Sequence, residues 1–351
     1  MKKFFLLAAM AGVALTGCVK TESEVAVKSD SNRIVFDSPV VSSVTRALID
    51  GTEYPTDVPF SVYAQYKNAN TGENLLYMNN VTTEYSATSP SPTGKSSWVP
   101  VGNYYWPKQG TLSFAAYSPT AASTVFNSVS WTDDSGFTFD NFNAVTNQVN
   151  SYDLMYSDYV ADQKQSDEAD HEKYYGIQLT FKHALSALVF RAQAADNYAG
   201  AEIKVTKIEV LEAYNQGDLA TNNADNSAGW SDFQNPATME VKNLTSAVLT
   251  TDFAQQGDVL LMVPQGFDHN GGVKVKITYT IDTDSDATLT QTHTVALSTL
   301  NEAGAGAGAS THDDWEMGKR YTYDITIGLD RIYFAPTVTD WDDVTVTGTI
   351  D

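Results

Sequence analysis

Apolar and aromatic residues in this chain recur at every second position, in short runs separated by proline, glycine, serine and asparagine. That period belongs to strands and not to helices. Phe60, Val62, Ala64 and Tyr66 share one face of a run that Asn68-Ala-Asn-Thr-Gly72 closes. Leu112-Ser-Phe-Ala-Ala-Tyr117 is a further strand, ended by Ser118-Pro119, and Pro107 keeps Trp106 out of a central strand. No helical period of useful length occurs before residue 180. The expectation is an all-β fold.

The second half keeps the pattern. Ile177–Phe181 and Leu185–Phe190 read as strands, and Val273 to Tyr279 alternates with its lysines facing water. Ile203, Val205, Ile208 and Val210 slip by one position between 205 and 208, which predicts a β-bulge. Val259 to Val263, before Pro264, is apolar throughout. Tyr321, Tyr323, Ile325, Ile327 and Leu329 share one parity, Ile332 and Phe334 take the other, and Val344, Val346 and Ile350 close the chain. Residues 162–173 carry no large apolar side chain and are expected to be the interdomain connection, with a long hairpin loop as the other reading. Ala303 to Ala309 alternates with glycine and is expected to be a flexible loop.

The front end sets the compartment. Met1-Lys2-Lys3, an apolar stretch to Leu15 and the small residues before Cys18 form a secretory signal, too short to span a membrane. Cys18 is the single cysteine, so no disulfide or cysteine-held metal is expected. Acids outnumber bases 43 to 21, for a net charge of −22, which argues against nucleic acid and anionic lipid headgroups as partners.

Between leader and first domain lies the segment from Ile34 to Ala47. Ile34, Phe36, Val40 and Val44 share even parity, and Arg46 follows with no acidic residue until Asp50. A trypsin-like protease could cut between Arg46 and Ala47. The expectation is a provisional strand, filling a sheet until it is cut away and replaced by a strand of another subunit.

Catalytic and metal motifs fail on inspection. Asp282, Asp284 and Asp286 have the spacing of a calcium loop, but Ala287 and His293 stand where glycine and glutamate are needed, so an exposed turn is expected. Gly94-Lys95-Ser96 lacks the upstream glycine of a phosphate loop, having Ser89 there. His171, His183, His269, His293 and His312 are scattered, with His183 expected as a structural histidine and His312 as solvated. No enzyme, cofactor or metal site is expected. Among the aromatics, Trp98, Trp131 and Tyr104-Tyr105-Trp106 suit a sandwich core, whereas Trp230 and Trp315, in polar glycine-bearing stretches, are the better candidates for exposed contact.

Several stretches together resemble one family. Leu15-Thr-Gly-Cys18 is similar to a bacterial lipobox. With Thr45-Arg46-Ala47, Tyr105-Trp106-Pro107, Leu112 to Pro119, Leu179-Thr-Phe-Lys-His-Ala-Leu185, Gly318 to Ile327 and Pro336-Thr-Val-Thr-Asp-Trp341, it resembles the fimbrillin-like proteins, the type V pilins of Bacteroidia. The resemblance implies two transthyretin-like β-sandwich domains in tandem, lipidation at Cys18, export to the outer membrane and cleavage after Arg46. It further implies polymerisation with other pilin subunits by donor-strand exchange, and adhesion to a host or bacterial surface ligand. The domains would be 1–17 (signal), 18–46 (propeptide), 47–170 and 171–351, with Val344, Val346 and Ile350 as the candidate donor strand. The rival reading is a lipid-anchored glycan-binding protein of a polysaccharide-uptake system, stacking sugars on Trp230, Trp315 and Tyr104.

Overall fold

The computed structural model describes residues 32–41, 54–87, 97–165, 176–269, 271–283, 288–300, 312–329 and 332–340, the last eight as backbone only. Cys18, Val44, Arg46, Ala47, Val344, Val346 and Ile350 lie outside the described residues, as do residues 94–96, 284–287 and 303–309.

The chain is all-β. It runs β1 (Val40–Val41), β2 (Phe60–Lys67), β3 (Asn74–Ser86), β4 (Ser97–Pro100), β5 (Thr111–Ser118), β6 (Ser128–Thr132) and β7 (Gly136–Asn143). A short helix, α1 (Ala144–Asn150), precedes β8 (Met155–Ser157), β9 (Val160–Gln163) and β10 (Thr180–His183). Then come β11 (Ser186–Ala194), β12 (Ala201–Asn222), β13 (Ser227–Glu240), β14 (Ala254–Gln255), β15 (Leu260–Met262), β16 (Gln265–Gly266) and β17 (Lys274–Thr283). The last are β18 (Thr288–Ala296), β19 (Asp314–Trp315), β20 (Lys319–Ile327) and β21 (Ile332–Asp340).

The first unit is an eight-stranded sheet in the order β1-β10-β8-β5-β2-β3-β4, with β9 also on β5. Its alternating strands turn Phe60, Val62 and Ala64 of β2, and Leu112, Phe114 and Ala116 of β5, into one apolar cluster. The second unit packs a five-stranded sheet, β14-β11-β20-β21 with β15 on β11, against a six-stranded one, β18-β17-β12-β7-β6 with β13 on β12. Leu188, Phe190, Tyr323 and Ile325 from one sheet meet Val205, Ile208, Val275 and Ile277 from the other in a second cluster. The expected bulge is present: the β12–β17 register shifts between Val205 and Lys207, and Ile203, Val205, Ile208 and Val210 all stay buried.

The expected boundary at 170/171 is crossed in both directions. The β6–β7 hairpin joins the second unit, where Phe139 and Phe142 pair with Leu219 and Gly217 of β12. In return β10 lies in the first sheet, paired with β8. The polar run after Gln163 therefore connects two strands of the same sheet, β9 and β10, and is not the interdomain link. A polar run suits an interdomain link and a hairpin connection equally, which is why composition could not tell the two apart.

The hairpin of β12 and β13 reaches back to the first unit. Asn226 at its tip accepts from the Tyr159 amide at 2.8 Å through Oδ1 and from Lys182 Nζ at 3.2 Å through its carbonyl. Trp230 donates its indole N–H to the Ala184 carbonyl at 2.7 Å.

Candidate functional site

Residues 32–41 occupy the seam between the two ends of the first sheet. On one side Ile34 N donates to Tyr104 O, Trp106 N to Asn32 O, and Phe36 and Trp98 exchange both backbone bonds. On the other side Asp37 N donates to Ile177 O, Ile177 N to Val35 O, and Val40 N to Leu179 O. Phe36 thus bridges Trp98 antiparallel and Ile177 parallel, and β1 continues the parallel pairing with Thr180 and Phe181. A ten-residue segment closes the sheet on itself and leaves neither rim bare there.

Ile34, Val35, Phe36 and Val41 are buried, whereas Val40 is 39% exposed. The single even-parity face expected through Val40 is therefore corrected. The segment changes partner at Asp37-Ser38-Pro39, where it leaves the β4 side and takes up β10, and a proline without an N–H sits in that step. Parity restarts one residue later, placing Val41 inside.

Phe36 enters an aromatic pocket. Its ring meets Phe60 at 5.9 Å and Phe114 at 5.7 Å, both edge to face. The pocket floor holds together without it. Tyr54 stacks on Phe181 at 5.2 Å and stands edge-on to Trp98 at 5.1 Å, and Phe60 contacts both Trp98 and Phe181. Tyr54 Oη and Ser118 Oγ share a 2.5 Å hydrogen bond, and burial raises the Tyr54 phenol far above its ordinary range. Gly176 completes the seat from the β10 side. At its φ of +116°, a Cβ would fall 2.5 Å from Asp37 N and 2.6 Å from the Phe36 carbonyl carbon, so only glycine lets the segment come this close. At the rim, Arg33 donates to the Gly102 carbonyl at 2.8 Å.

Tyr54, Gly176, Val35 and Val41 were not singled out by sequence. Adjacent apolar residues at 34–36 and 40–41 were the available signal, because a strand bonded on both sides buries both faces more than an edge strand does.

The other expected positions separate cleanly. His183 is buried with Nδ1 3.0 Å from Asp153 Oδ1, in line with a structural histidine. His312, expected in solvent, is fully buried: its Nε2 lies 2.8 Å from Tyr323 Oη, which also accepts from Trp315 Nε1 at 2.8 Å. Burial pushes the His312 imidazole down to about 4. Trp315, expected exposed, is 1% accessible and packs edge-on to Phe267. Its polar neighbours in sequence give no hint that β16 and β20 cover it. Trp230 is half-buried and stands edge to face with Phe142, and Tyr104 is half-buried and edge to face with Tyr77. Asp282 is engaged by Lys204 at 3.3 Å, and Thr288 and that lysine hold its carboxyl below the usual range. Among the described residues no group of three His, Cys, Asp or Glu is placed to hold a metal, and no helix is long and apolar enough to cross a membrane.

The sequence profile described as fimbrillin-like matches residues 45–341. A fimbrial protein from Bacteroides vulgatus superposes with a TM-score of 0.56 at 16% identity, covering 88% of this chain and 99% of that one. A fimbrilin from Porphyromonas gingivalis matches with a TM-score of 0.44 at 10% identity, covering 91% and 100%. Among curated proteins no sequence matches the chain significantly.

Proposed function

Since this chain belongs to the fimbrillin-like family, whose profile covers residues 45–341, we propose that it is a structural subunit of a cell-surface fimbrium serving adhesion. It is exported as a lipoprotein through Cys18, cut after Arg46 by a trypsin-like protease, and polymerised by strand exchange. The observation that carries this reading is the seat of residues 32–41. A segment on the leader side of Arg46 is buried in the first core and hydrogen-bonded on both sides.

The chemistry follows from that placement. Acyl chains on Cys18 hold the precursor at the outer membrane, each buried methylene contributing about 0.8 kcal/mol. A cut after Arg46 severs the anchor and the seated segment from the rest in one step. Vacating the seat uncovers Ile34, Val35, Phe36 and Val41 positions worth about 1.5 to 3 kcal/mol each, together with two unpaired rims. An alternating strand from a sibling subunit satisfies both demands. Such a contact is head-to-tail and does not close on itself, so it grows a fibre. The C-terminal run with Val344, Val346 and Ile350 is the candidate donor, and a host or bacterial surface molecule the candidate ligand.

The test is to express the precursor, cut it with trypsin and image it by electron microscopy beside an Arg46→Ala variant. Filaments from the cut wild type and none from the variant are expected. A cut protein that stays monomeric at high concentration overturns the proposal.

A further inference from the structure

We propose that the seat of residues 32–41 chooses its next occupant through the Phe36 pocket, and that this occupant is the strand Ile332–Asp340 of a second copy, with Phe334 taking the place of Phe36. The inference rests on the strand-exchange reading above and makes it specific in register.

The pocket is self-supporting. Tyr54, Phe60, Trp98 and Phe181 pack on one another, and Phe36 meets this group edge to face at Phe60 and through its main-chain bonds with Trp98, with Phe114 on its other side. All five pocket residues follow Arg46 in the chain, so they stay when the segment leaves. What remains is a formed aromatic hole. Edge-to-face geometry around it suits another aromatic ring, and a smaller side chain leaves unfilled volume that costs stability.

The occupant is read from the sequence of the chain itself. The seated residues that point inward first are Ile34 and Phe36, two apart. The pattern Ile-x-Phe occurs twice in the chain, as Ile34-Val-Phe36 and as Ile332-Tyr-Phe334. Each is followed by a proline and a valine at unequal spacing, Pro39 and Val41 in the first and Pro336 and Val338 in the second, so the pattern that matches in register is the Ile-x-Phe pair. The run from Val344 to Ile350 offers valine, threonine and isoleucine but no ring. Position in the fold agrees with the pattern. Among the described residues β21 ends its sheet and pairs with β20 alone, whereas the seat offers bonds along both rims. A strand that moves from the one to the other exchanges a single ladder for a double one.

The experiment uses the full uncut precursor with a sequence-specific protease site in place of residues 44–48. After the cut the seated segment is held without a covalent link, and its release is followed by mass spectrometry just below the urea unfolding transition. The displacing probes are fluorescent peptides spanning 32–42, 332–340 and 343–351, and the first two with phenylalanine changed to alanine. Displacement by 32–42 and 332–340, each weakened at least tenfold by the alanine change, with 343–351 weaker than either, is expected. Equal displacement by 343–351, or by the alanine peptides, overturns the assignment of Phe334 and leaves strand exchange standing. No displacement by any peptide, the 32–42 sequence included, overturns strand exchange as well. In the intact chain, Phe334→Ala should abolish filaments and Val346→Ala should not; the reverse result overturns the register.

Discussion

Each unit of the molecule contains a parallel strand pair, and the two pairs are built for opposite ends. In the second unit β11 and β20 stay in register from Ala187 opposite Arg320 to Ala194 opposite Ile327. Arg191 on one strand holds Asp324 on the other through two bonds, of 2.6 and 2.5 Å, and Asp324 is 4% exposed. In the first unit β1 meets β10 over Val40 and Val41 only, with one further bridge at Phe36. No ion pair fastens it among the described residues. The long pair runs through the second core. The short pair holds by apolar burial and a few backbone bonds, and only its first strand, β1, precedes Arg46.

The comparison can be broken by substitution. Phe36→Ala should cost about 3 to 5 kcal/mol, the usual figure for emptying a buried aromatic site. That loss should appear as faster amide exchange at residues 32–41 and 177–181, with β11 and β20 unchanged; equal acceleration in both units would mean the seat is not separately stable. Asp324→Ala should cost about 1.5 to 3 kcal/mol, because it removes the buried acceptor of two charge-assisted hydrogen bonds from the part-exposed Arg191. Here urea unfolding should weaken while exchange at the seat stays as it was.

Acid should act on the second unit through His312. His312 stays neutral in the fold down to about 4, against an ordinary value near 6.5. The unfolded chain therefore binds a proton that the folded chain refuses, so stability is full above pH 6.5 and falls as pH drops toward 4. The loss is about 2 to 3 kcal/mol from this residue. Melting curves between pH 7 and pH 4 should flatten in a His312→Gln variant. The smallest effect separates two neighbours: Val41→Ala should cost about 1 to 2 kcal/mol and Val40→Ala less than about 0.5, since only the first is buried. Equal costs would restore a single even-parity face.

What could be read from sequence follows the range of the cause. Alternation in β17 and the slip in β12 are local, and both were readable because each residue reports its own face. The apolar character of the 34–41 segment was readable in the same way, but the step at Val40 was not, since it reflects a change of neighbour from β4 to β10. The fates of His312 and Trp315 were hidden for a related reason. Their stretch is polar by composition, and it is Phe267, Tyr321 and Tyr323, none of them adjacent in sequence, that make it an interior. The boundary failed because β7 and β10 each pair across it, and pairing leaves no mark on either strand's own composition.

Gly176 carries one consequence of its own. It meets the segment through main-chain atoms, at Asp37 N and the Phe36 carbonyl carbon, so it is blind to the identity of the side chains beside it. On the proposed exchange, the aromatic pocket would ask which strand has arrived, while this glycine would ask only whether a strand has docked to full depth. An alanine there would hold the native segment and any substitute off alike, whatever their sequences.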